Sequence, residues 1–141
     1  QIIKSKFDNK PAARRKKNFY AMGGGSWMAI ALMKPDKFIK GQDNENYIQF
    51  TYEDVCNFYD IMTKNDIDVF LDKQRKINPS IVETVQNTYS NEGLVVGATI
   101  LYDTMTENAF RNKGLNCYFV RNGQVAWIIA YTVDYVRKNN K

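Results

Sequence analysis

The chain has 141 residues, 44% of them hydrophobic and 13% aromatic, enough for one packed domain and too apolar for global disorder. It carries a net charge of +5 and has no histidine, which removes the commonest general base and the commonest metal ligand together. Cys56 and Cys117 lack the spacing of a zinc site or a disulfide framework, and the longest apolar run, Trp27 to Met33, is too short to span a bilayer. The expectation is an intracellular chain, cytoplasmic or associated with a nucleoid or nucleus, neither secreted nor held in a membrane.

In chain order, residues 1–15 read as a basic, mobile arm broken by Pro11, and residues 16–141 as a single domain. Lys16 to Met22 and Ser26 to Lys34 read as two strands parted by Gly23-Gly24-Gly25. The second is apolar on both faces, as a central strand buried on two sides would be. Lys34-Pro35 to Asn46 is expected to be a polar loop with a turn at Gly41-Gln42-Asp43-Asn44, and Tyr47 to Phe50 a short strand. Thr51 then opens a helix, with Glu53 and Asp54 in its first turn and Val55, Phe58, Tyr59 and Met62 along one stripe. Residues 65–76 fit a strand and a helix equally well. Asn78-Pro79 is a helix start, with Ile81, Val82, Val85 and Tyr89 on its apolar face. Leu94 to Tyr102 reads as a strand. Asn122-Gly123 between two apolar runs predicts a type I′ hairpin joining Leu115–Val120 to a long strand, Gln124–Val136. Strict alternation would then place Val125, Trp127, Ile129, Tyr131, Val133 and Tyr135 on one face. The expected fold is α+β, a curved antiparallel sheet with two or three helices packed on one side.

The strand-to-helix junction Tyr47-Ile48-Gln49-Phe50-Thr51-Tyr52-Glu53-Asp54-Val55, preceded by glycine-broken strands and a polar loop, resembles that of the transcriptional-coactivator and Whirly group. The resemblance covers about residues 16–72. It implies binding of single-stranded DNA or RNA through basic and aromatic residues of a curved sheet, with oligomerisation through the helices.

Charge points the same way. Residues 1–40 hold ten Lys and Arg against Asp8 and Asp36, whereas residues 41–72 hold eight carboxylates and Lys64 alone. A one-signed basic segment attracts polyanions, and aromatic rings beside it can stack on unpaired bases. The candidate contacts are Arg14, Arg15, Lys16, Lys17, Phe19, Tyr20, Trp27, Lys34, Lys37, Arg121, Trp127, Tyr131 and Tyr135. Against them stand plainer readings: a solubilising arm for the basic run, and ordinary core positions for Phe19, Tyr20 and Trp27. The glycine run lacks the trailing Gly-Lys-Ser/Thr of a phosphate loop, so a turn is the better reading. The acidic segment lacks calcium-loop spacing and reads as solvated surface. The function expected is therefore non-enzymatic binding of single-stranded nucleic acid, DNA before RNA, by a homo-oligomer without metal, cofactor or small-molecule substrate. The alternative is a viral or other structural component that self-assembles through its basic arm, acidic segment and helices.

Overall fold

Where the sequence predicts a central strand, the structure has its most deeply buried helix. The computed structural model describes residues 17–41, 46–64, 66–106 and 115–139, except the side chains of Gln124, Ala126 and Trp127. The basic arm lies outside that range, as do the last three residues of the turn expected at 41–44. After strand β1 (Asn18–Ala21) comes helix α1 (Gly24–Met33), in which Met28, Ala29, Ile30, Ala31 and Leu32 are fully shielded from solvent. An all-apolar run has no periodicity to separate a buried strand from a buried helix. Here Met, Ala and Leu favour the helix, which satisfies its own backbone hydrogen bonds in the core.

A 3₁₀ turn (Pro35–Phe38) and strand β2 (Tyr47–Phe50) follow. Helix α2 (Tyr52–Thr63) starts as expected. Its cap Thr51 accepts from the Asp54 N–H at 3.0 Å, and Asp54 accepts in return from the Thr51 N–H at 2.9 Å. Val55, Phe58 and Met62 are buried beneath it. The ambiguous segment is helix α3 (Ile67–Ile77). Helix α4 (Pro79–Thr88) is capped by buried Asn78, whose Oδ1 accepts from the Ile81 N–H and whose Nδ2 donates to the Pro35 carbonyl at 3.0 Å. One side chain thus starts a helix and fastens the 3₁₀ turn to it.

The region read as strand Leu94–Tyr102 is helix α5 (Asn91–Thr106), which buries Leu94, Ala98, Leu101 and Met105 at helical spacing. Helix α5 packs on α1 and on α2, where the Tyr59 and Tyr102 rings stack at 4.1 Å with planes 10° apart. Strand β3 (Asn116–Val120) and helix α6 (Gly123–Asn139) complete the order. Asn122 does adopt the left-handed conformation expected of it, with φ 56°, but Gly123 then begins a helix and no hairpin forms.

The expected curved antiparallel sheet is therefore overturned. Six α-helices dominate the described residues, and the sheet has three short strands in the order β1-β3-β2, with β1 parallel and β2 antiparallel to the central β3. No helix among the described residues is long and apolar enough to cross a membrane.

Candidate nucleic-acid interface

Successive side chains on a strand point to opposite faces, so three paired strands sort their residues into two sets. The register places Phe19 and Ala21, Cys117 and Phe119, and Ile48 and Phe50 on the face toward the helices. Phe19 meets Phe50 edge-on there, with ring centroids 6.3 Å apart. The opposite face carries Asn18 and Tyr20 from β1, Asn116, Tyr118 and Val120 from β3, and Tyr47 and Gln49 from β2.

Three tyrosines meet on this open face. Tyr118, on the central strand, stacks against Tyr20 at 5.6 Å with planes 24° apart, and meets Tyr47 edge-on at 6.3 Å. Tyr20 and Tyr47 are themselves 6.2 Å apart, and each is 50% exposed. Amides surround the rings: Asn116 Nδ2 donates to Asn18 Oδ1 at 3.1 Å, and Asn18 Nδ2 to the Tyr20 hydroxyl at 3.4 Å. The face is thus aromatic and hydrogen-bonding, and its strand residues include no carboxylate. Lys17 precedes β1, where its carbonyl accepts from the Asn116 N–H at 2.8 Å, and Arg121 follows β3, where its N–H continues the ladder to the Asn46 carbonyl at 3.0 Å. A cationic residue therefore stands at each end of the sheet.

The candidates named from sequence disperse around this face. Arg14, Arg15 and Lys16 lie outside the described residues. Tyr20 is on the open face and Phe19 on the core face. Lys34 is ion-paired with Asp54 at 3.0 Å. Lys37 is exposed on the 3₁₀ turn, and its carbonyl accepts from the Arg121 guanidinium, which sits 5.2 Å over the Phe38 ring. Tyr131 and Tyr135 are exposed, but on helix α6 rather than on a sheet strand, and Trp127 belongs to the same helix. Tyr47 and Tyr118 were not among the candidates. The signal for them was the alternation in Tyr47-Ile48-Gln49-Phe50 and Asn116-Cys117-Tyr118-Phe119, where each tyrosine shares its face with an amide.

Trp27 and Arg121, distant in sequence, meet at a cleft of about 470 Å³ beside the carboxyl ends of the parallel strands. Gly23, with φ +95°, and Gly123 line its floor. Val120 is common to the cleft and the tyrosine face, so the two adjoin.

Two groups nearby have displaced ionisation. Burial raises the Asp54 carboxyl, but hydrogen bonds from Lys34 and Thr51, with the Lys34 charge, outweigh it and hold the group below its ordinary range. Burial pushes the Cys117 thiol up to about 11. Among the described residues no three His, Cys, Asp or Glu side chains cluster closely enough to hold a metal ion. Compared with known proteins, the chain matches no family model, no curated relative and no solved structure.

Proposed function

We propose that the protein binds single-stranded nucleic acid on the open face of its sheet and catalyses no reaction. The observation that carries this reading is the mutual contact of Tyr20, Tyr118 and Tyr47 on a face turned away from the core. Aromatic rings held side by side offer successive unpaired bases a stacking surface, and every base has a π-face to place on it. Asn18, Gln49 and Asn116 add donors and acceptors on the face, while Lys17, exposed just before β1, supplies charge for phosphates. The basic run Arg14–Lys17 immediately precedes β1 in the sequence.

Fluorescence anisotropy with labelled single-stranded DNA, single-stranded RNA and duplex, each at two salt concentrations, tests the proposal. Single strands should bind more tightly than duplex, DNA more tightly than RNA, and affinity should fall as salt rises. Tyr20→Ala and Tyr118→Ala should each weaken binding by about 1–3 kcal/mol. Unchanged affinity in the double variant, or no binding by the parent chain, overturns the reading.

A further inference from the structure

Helix α6 is exposed at every described side chain beyond Gly123, although it is 17 residues long. Val125, Ile128, Ile129, Val133, Tyr135 and Val136 are between 44% and 60% exposed. At 100° per residue these six fall within an arc of about 160°. The far side carries Asp134, Arg137 and Lys138, with Asp134 and Lys138 paired at 2.7 Å. The described side chains on both sides are exposed, and the arc, which also holds Thr132 and Asn139, is the side without charge. The six side chains expose on the order of 500 Å², at the upper end of what single soluble chains show as a patch.

We infer that α6 is a dimerisation helix whose apolar face is covered by α6 of a second copy. Charge selects this occupant. The arc holds no cation for a phosphate backbone and no charge for an oppositely charged protein. The polar side has only Arg137 and Lys138, one of them neutralised by Asp134, which is a weak hold on anionic lipid. What the face offers is β-branched apolar surface, and a second identical face complements it under two-fold symmetry. Two such faces together bury on the order of 1,000 Å², the lower bound for a specific interface. The apolar stripe of α2, Val55, Phe58 and Met62, is by contrast buried within one chain, largely by α5. This inference stands apart from the tyrosine face and does not depend on it.

Sedimentation velocity on the full chain, from low to high micromolar concentration and at two salt concentrations, tests it. The parent should be a dimer that persists at high salt. Ile128→Asp with Ile129→Lys should be monomeric, and so should Val136→Asp as an independent variant. Both should keep the parent's far-ultraviolet circular dichroism and unfold cooperatively, because neither change touches the core, with a melting temperature lower only by what dimerisation contributes; Ile128→Leu should remain dimeric. A monomeric parent overturns the inference, as does a dimer that survives both variants. Flotation of a monomeric parent with vesicles of phosphatidylglycerol and phosphatidylcholine would assign the face to lipid instead.

Discussion

Tyr118 occupies the middle of the open face because β3 is the central strand of the sheet, hydrogen-bonded to both β1 and β2. Its sequence neighbour Cys117 points the other way, into the core, and is 1% exposed. That difference of one residue predicts opposite chemistry. Cys117 should resist thiol reagents at neutral pH until the chain unfolds, since burial keeps it protonated. Its contribution to stability should be fully present below pH 9.0, the ordinary thiol value, and be lost as pH rises toward about 11, because the unfolded thiol ionises first. Urea unfolding of the parent and of Cys117→Ala across pH 8 to 11 checks this: the gap in stability should narrow as pH rises. A constant gap would contradict it.

Among the elements, those with their own boundary signals were legible in the sequence. Thr51 and Asp54 fix the start of α2, Asn78 and Pro79 that of α4, and short alternating runs mark β1, β2 and β3. Helices α1, α5 and α6 were misread as strands for a common reason. Each contains an apolar run whose β-branched or alternating residues satisfy period 2, while the same residues also satisfy period 3.6. In α6, Val125, Ile129 and Val133 fit the first, and Val125, Ile128, Ile129 and Val136 the second. The reciprocal cap of α2 carries its own prediction. Thr51→Ala should lower stability by about 1 kcal/mol. Asp54 is held below its ordinary pKa, so its contribution is present above pH 3.8, the ordinary value, and is lost as pH falls through the lower folded value. Acid unfolding of Asp54→Asn should lack that component. A parent-like acid transition in the variant would show that the cap does not titrate with folding.

At the scale of the whole molecule, α1 is the hub, in contact with α5 and α4 and with the 3₁₀ turn and β3. Ile30→Ala, at a fully buried position, should lower the unfolding free energy by about 2–5 kcal/mol, readable as a fall in the urea midpoint. A loss below about 1 kcal/mol would place the centre of the core elsewhere. The candidate site was only partly legible for a reason that belongs to this scale. Tyr20 could be named beside its basic run, but its meeting with Tyr118 depends on β1 pairing with a strand 98 residues later, through Tyr20↔Tyr118 and Asn18↔Asn116. Charge segregation along the chain was plain, whereas the register that gathers three tyrosines is a property of the closed fold.

The place of β3 in the sheet governs when the tyrosine face comes into being. Among the described residues β1 and β2 each pair with β3, and β3 is synthesised after both of them. While the ribosome works from the N-terminus, helices α1 to α5 can assemble first, with two short strands waiting on unpaired edges. Once β3 is free to pair with both, the tyrosine face forms. A chain broken off before Asn116 would keep the segments of helices α1 to α5 yet lack the sheet and its tyrosine face. If the tyrosine face binds single strands as proposed, such a chain should lose the stacking part of the affinity and keep only a salt-sensitive part.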